Sequence, residues 1–449
     1  MATRLAIVGG DAAGMSAAST ARRRDSAVEI IAFERGPYTS YSACGIPYYI
    51  GGLFDDADRL ISRSPEEHRA RGIDVHTRTE VIAVDLDRRE LTVRDLQARE
   101  ERTEGFDQLV LATGAEAVAP PIPGAEATEP VRTIDAAERF RRAVSGEGER
   151  AVVIGGGYIG LEMAEALVQR GVRTTLVEAE PQVMGTLDAD MAAHVQDAAE
   201  GVGVRVLTAT AVEEVIRDSA GEPCAVRADG ETIPADHVVI ATGIRPAVGL
   251  AEGAGLELGE SGAIKVDDHQ RCPGHDGVFA AGDCAESWHR VLDRAVNVQL
   301  GTHANKQGRV AGANATGGDL AFPGVVGTAV SRLCRYEVAR TGISEREAAG
   351  AGIDVVAATI KDRTRAGYFP GAGPIWVKLV CEPGTGRLLG GQIVGAEGAA
   401  KRIDVLATCV WAQMHVEEIE QLDLSYAPPF SGVYDPVLVA ARAAAKLLS

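Results

Sequence analysis

Arg4-Leu5-Ala6-Ile7-Val8-Gly9-Gly10-Asp11-Ala12-Ala13-Gly14 decides how the rest of this 449-residue sequence is read. Arg4 to Val8 is a short apolar strand that runs into a glycine turn, and a small-residue helix follows from about Met15 to Arg24. Glycines in such a turn let backbone N–H groups approach a pyrophosphate at a helix N-terminus, which is a natural anion site. Glu29 to Phe33 reads as the next strand. It ends at Glu34, 25 residues after Gly9, where an acid would accept from a ribose hydroxyl. One residue departs from the pattern: Asp11 replaces the middle glycine of G-x-G-x-x-G and puts a carboxylate near where phosphates would lie.

The unit occurs twice. Ala151 to Ile154 leads into Gly155-Gly156-Gly157-Tyr158-Ile159-Gly160, a helix runs through about Arg170, and Arg173 to Val177 ends at Glu178. Here the three fingerprint glycines Gly155, Gly157 and Gly160 are all present. Matching apolar strands close on Ala112-Thr113-Gly114 and on Ala241-Thr242-Gly243, and the first runs into Pro120-Pro121-Ile122-Pro123-Gly124, a stretch that reads as an interdomain crossing. A further strand ends at Gly282-Asp283, where a carboxylate suits a sugar-like hydroxyl chain. From about Phe322 the pattern changes to alternating strands, with helical patterning from Lys401 to His415. The expected fold is α/β: two Rossmann-like dinucleotide-binding domains plus a C-terminal α+β domain, which the family resemblance given below implies is a dimerisation domain. The expected boundaries are 1–118 with 248–321, then 119–247, then 322–449.

The composition narrows the function. A formal charge of -19, with no basic tract beyond Arg22-Arg23-Arg24, argues against nucleic acid as a partner. No window approaches the roughly 18 apolar residues of a membrane span, so no membrane partner is expected. The apolar run at the start is too short for a signal peptide and reads as a strand. Seven scattered cysteines, odd in number and never in a C-x-x-C pair, argue against a disulfide framework or a zinc site. They point to a reducing compartment, hence the cytoplasm, and to no metal.

One cysteine stands apart. Cys44, within Tyr38 to Gly52, lies just ahead of a helix start marked by Pro47, beside unpaired N–H groups and the positive end of the helix dipole. Such a position favours a thiolate. Taken together, the two turns with their acids, the Cys44-Gly45-Ile46-Pro47-Tyr48-Tyr49 segment, both Ala-Thr-Gly strands, Gly282-Asp283 and Tyr426-Ala427-Pro428-Pro429-Phe430 resemble the FAD-dependent pyridine nucleotide-disulfide oxidoreductases. The likeness is to the branch with a single redox cysteine. That resemblance implies FAD on the first unit, at Gly9, Gly10, Ala13, Gly14, Glu34, Arg35, Ala112, Thr113, Gly114, Gly282 and Asp283. It implies NAD(P)H on the second, at Gly155, Gly157, Tyr158, Ile159, Gly160, Glu178 and Gly243. The Glu178 carboxylate would repel a 2′-phosphate, which favours NADH over NADPH.

Within the branch, Pro47-Tyr48-Tyr49 is most similar to the coenzyme A-disulfide reductases. The resemblance implies a homodimer in which Tyr368 and Tyr426 reach the active site from the partner subunit, with Tyr426 as proton donor and Tyr368 orienting the substrate. Arg22, Arg23 and Ser40 are the implied contacts for coenzyme A or another small disulfide. Ala12 stands where the peroxidases carry histidine, and no second cysteine follows Cys44 closely. The expected function is therefore electron transfer from NAD(P)H through FAD and Cys44 to coenzyme A disulfide or a related small disulfide or persulfide. The alternatives are a water-forming NADH oxidase working through a cysteine sulfenic acid, and a redox-sensing or electron-transfer flavoprotein acting on a protein partner.

Overall fold

The computed structural model describes residues 3–118 and 120–448. Residue 119, where the second domain is expected to begin, lies outside them. The chain divides into two compact units. The first is built from the chain up to Ala43 with Asp56–Ala117 and Ile244–Val325; the second holds Cys44–Asp55, Val118–Gly243 and the chain from Val326 onward.

In the first unit five parallel strands lie in the order Val278–Ala280, Gln108–Leu111, Arg4–Val8, Glu29–Phe33 and Asp74–His76. Their near-continuous apolar runs suit a sheet covered on both faces. Val8 pairs with Phe33 on one side and Leu111 on the other, so Gly9, Glu34 and Ala112 all leave the sheet at one edge. Strand order reverses at Arg4–Val8, which is where such sheets bind ligands. The helix Ala12–Arg24 begins at that edge and buries Ala13, Gly14, Met15, Ala17, Ala18 and Ala21; its last turn carries Arg22, Arg23 and Arg24, favourable at the negative end of the dipole. Small residues let the helix Gly301–Asn314 approach it closely. A Cβ on Gly308 or Gly312 would run into the Ala13 or Ala17 carbonyl.

The second unit repeats the plan with Arg205–Leu207, Arg173–Val177, Arg150–Ile154 and His237–Ile240, again all parallel. Its C-terminal part is a five-stranded antiparallel sheet in the order Ala329–Leu333, Tyr336–Gly342, Leu388–Gly395, Pro374–Cys381 and Val356–Arg363. Pro436–Leu448 packs on the last two strands and Ile403–Trp411 on Leu388–Gly395. The helical patterning expected from Lys401 to His415 is divided: a 3-10 turn at Ala400–Arg402, the helix Ile403–Trp411, and a break at Gln413, whose φ of 56° is left-handed. His415 caps a separate short helix, Val416–Glu420. Among the described residues no helix is long and apolar enough to cross a membrane.

Candidate functional site

The two glycine turns are built alike. Gly9 N–H donates to Phe33 O at 2.9 Å and Gly155 N–H to Val177 O at 2.8 Å. Both glycines have φ above 100°, and a Cβ would strike the Ala112 or Ala241 carbonyl. A Cβ on Gly14 or Gly160 would strike the Gly9 or Gly155 carbonyl, so each helix starts pressed onto its own turn. The acid at the end of the second strand closes each turn. Glu34 accepts from Gly10 N–H (2.7 Å) and Gly36 N–H (2.6 Å); Glu178 accepts from Gly156 N–H (2.5 Å) and Glu180 N–H (2.8 Å).

Side chains around the first turn are strongly acidic. Asp11, half-buried at the helix start, has its carboxyl pushed up to about 6, by burial first and then by the charges of Glu34 and Asp283, against the N–H groups of Tyr41 and Ala12. Gly282 brings Asp283 to this place: with φ of 85° it lies so close to Ala13 that a Cβ would come within 2.9 Å of that side chain. Thr113 Oγ1 donates to Ala247 O at 2.6 Å, and Gly114, at φ 71°, lets the chain leave the sheet. Arg35 is exposed, 3.8 Å from Glu80. The glycine cradle at the switch point, with acids at the strand ends, fits a dinucleotide such as FAD. Of the implied substrate contacts, Arg22 donates to the Ser26 and Gly72 carbonyls, both at 2.8 Å, and Arg23 to Thr20 Oγ1 at 3.0 Å. Ser40 Oγ lies 3.1 Å from His68 Nε2, an imidazole that burial lowers to about 4.

Around the second turn a Cβ on Gly157 would meet open space, Ile159 is exposed, and Gly243 has φ of 103°. Thr242 Oγ1 donates to Val118 O at 3.0 Å, the counterpart of Thr113. Burial raises the Tyr158 phenol, against the Thr186 hydroxyl and the Arg340 charge.

Cys44 sits in the 3-10 turn Ala43–Gly45, directly before the helix Ile46–Ile50, whose first turn holds Pro47 as expected. It is exposed. Cys272, Cys284, Cys334, Cys381 and Cys409 are all buried, and desolvation raises each of their thiols, to about 12 for Cys272, Cys334 and Cys381. The Cys44 segment is held by side chains of its own unit, the second. Arg170 donates to Ile50 O at 3.3 Å, Arg141 to Phe54 O at 3.0 Å, and the Arg141 guanidinium lies 4.3 Å over the Tyr49 ring. Beside it, Pro47, Tyr48, Leu53, Glu162, Glu165 and Arg332 line a small, partly open pocket. Burial raises both carboxyls, although Ser331 donates to Glu162 (2.6 Å) and Cys334 N–H to Glu165 (2.8 Å). The Tyr48 phenol is raised by burial and by these two acids.

Tyr368 and Tyr426 are both exposed, at 79% and 48%. Their segments are tied together: Ala366 N–H donates to Pro428 O at 3.1 Å, and Arg402 reaches Thr364 O (2.8 Å), Phe430 O (2.6 Å) and Asp435 (2.8 Å). Sequence reasoning missed Glu162, Glu165 and Arg402. The two acids carried a signal, since they interrupt the apolar helix after the second turn at i and i+3; nothing in the sequence marks Arg402.

Residues 3–308 match the family described as pyridine nucleotide-disulphide oxidoreductase, and residues 328–436 match its dimerisation domain. The chain is 37% identical to an NAD(P)H sulfur oxidoreductase (CoA-dependent) of Pyrococcus abyssi, over 97% of each chain. It is 36% identical to an NADH oxidase of Methanocaldococcus jannaschii, over 99% of each. Among solved structures, an NAD-dependent persulfide reductase from A. fulgidus superposes with a TM-score of 0.95 at 38% identity, over 99% of this chain and 83% of that one.

Proposed function

The chain belongs to the pyridine nucleotide-disulphide oxidoreductase family, and from that premise we propose that it uses NAD(P)H to reduce coenzyme A disulfide or a related small disulfide or persulfide at Cys44. The observation that carries this reading is the contrast among the cysteines: Cys44 is exposed, at a helix start, while five others are buried with raised thiols. Gly9, Gly10, Ala13, Gly14, Glu34, Thr113 and Asp283 would hold FAD, and Gly155, Gly157, Gly160 and Glu178 the nicotinamide dinucleotide. A flavin held there would supply the two-electron chemistry that links the reduced nicotinamide to sulfur.

The protein's residues do the rest. The Cys44 thiolate attacks one sulfur of the substrate disulfide, forming a mixed disulfide and expelling the other half as a thiolate. Tyr426 of the partner subunit hands that thiolate a proton, and Tyr368 of the partner subunit orients the substrate. Two electrons then split the mixed disulfide, restoring the Cys44 thiolate and releasing the second thiol. The sum is one disulfide, one NAD(P)H and one proton converted to two thiols and NAD(P)+. Arg22, Arg23 and Ser40 would meet the substrate, and the protein would work as a homodimer in the cytoplasm. Cys44→Ser tests this directly: disulfide turnover is expected to fall by about 10^3-fold or more with FAD still bound, and full activity in that variant would remove the reading.

Glu178 favours NADH over NADPH, since its carboxylate closes the second turn where a 2′-phosphate would come. A kcat/KM for NADPH tenfold above that for NADH would refute this. The second reading, reduction of oxygen to water through a Cys44 sulfenic acid, is favoured by the NADH oxidase relative. Oxygen uptake matching disulfide turnover, with no free peroxide, would establish it.

A further inference from the structure

Three carboxylates converge on the first glycine turn. Glu34 closes it through Gly10 N–H, the Gly282–Asp283 turn packs against Ala13, and Asp11 itself occupies the place of the middle fingerprint glycine. The second turn has Gly157 there, with open space around it. A bound FAD brings two further negative charges, on its diphosphate, to the same helix start. An ionised Asp11 would then face Glu34, Asp283 and the diphosphate together, in a half-buried place.

We propose that FAD binding and protonation of Asp11 are coupled: one proton from solvent enters the Asp11 carboxyl as the dinucleotide seats, and leaves with it. The inference rests on the first turn being the FAD site. Burial and the like charges already lift this carboxyl to about 6 without the diphosphate, and the added charges lift it further. The charges that bear on Asp11 most are Glu34 and Asp283, with the N–H groups of Tyr41 and Ala12 opposing them. Behind Ser40 and Tyr41, His68 is lowered to about 4. On the helix Gly301–Asn314, which packs along Ala12–Arg24, His303 is likewise lowered to about 4 beside Lys306. Both imidazoles therefore stay neutral between pH 5 and 8.

The sign follows from linkage. Below about pH 6 the free protein already carries the proton, and affinity is level. Above it a proton must be taken up with the ligand, and affinity falls by up to about tenfold per pH unit until the pKa of the bound state is reached. The test dilutes the full-length holoprotein at pH 5 to 8 and reads released FAD by its fluorescence, for the wild type and for Asp11→Asn. The wild-type Kd is expected to rise with that slope above about pH 6; Asp11→Asn, neutral throughout, is expected to be level and to bind FAD more tightly than the wild type at pH 8. A wild-type Kd that does not change from pH 5 to 8, or an Asp11→Asn variant with an unchanged slope, would overturn the coupling while leaving the FAD site in place. A protein that holds no FAD at any pH would overturn both.

Discussion

After Val8 in the first unit, and after Ile154 in the second, the chain makes the same turn with the same contacts. A positive-φ glycine lies against the carbonyl of an Ala-Thr-Gly strand, a second glycine lets the helix start press onto the first, and an acid 25 (Glu34) or 23 (Glu178) residues past the turn's first glycine accepts two backbone N–H groups. The third and fourth residues differ. Asp11-Ala12 stands in one turn and Gly157-Tyr158 in the other, so one helix start carries a charge and the other a ring. Backbone geometry thus suits both turns to a dinucleotide, and under the proposed coupling the side chains decide how each responds to pH.

The shared backbone gives the largest expected effect. Gly160→Val would drive methyl groups into the Gly155 carbonyl, and NADH-dependent kcat/KM is expected to fall by about 10^3-fold, a loss of about 4 kcal/mol, with FAD retained. Loss of flavin with unchanged NADH kinetics would reverse the assignment of the two turns. A smaller effect isolates the side chain. Gly157→Asp copies Asp11 into open space, so its effect is electrostatic, and the KM for NADH is expected to rise by about 10-fold to 100-fold near pH 8. An unchanged KM would mean that the diphosphate does not approach this position. The smallest effect is on stability. Because the folded Asp11 carboxyl lies near 6, above its unfolded value, the stability it contributes is full at about pH 4 and is lost as pH rises through about 6. In the flavin-stripped protein, Asp11→Asn is expected to raise the Tm by about 3 °C at pH 8 and to leave it unchanged near pH 4. An equal rise at both values would point to packing instead of charge.

Much of this was readable in the chain. The strands at Glu29–Phe33 and Arg173–Val177 fall where the apolar runs place them, because parallel strands covered on both faces leave continuous apolar signatures. The glycine turns were readable because only glycine fits such close approaches. The Cys44 surroundings were not. Glu162 and Glu165 come beside Tyr48 because Gly51 allows the helix Ile46–Ile50 to lie against Ala166 and Gln169, and that contact spans more than 100 residues of chain. The break at Gln413 escaped the periodicity since the apolar pattern runs on through it. Arg402 stayed silent for a similar reason: its three distant partners, Thr364, Phe430 and Asp435, are brought beside it only by the folded domain.

The proposed reaction depends on Cys44 as the sulfur that carries the electrons. The most direct test is the mass of the protein purified without reductant and then exposed to coenzyme A disulfide, with peptide mapping of all seven cysteines. A coenzyme A-sized adduct on Cys44, lost when NADH is added, is the result expected. An unmodified Cys44 in a protein that still turns over the disulfide, or the adduct on another cysteine, would contradict it.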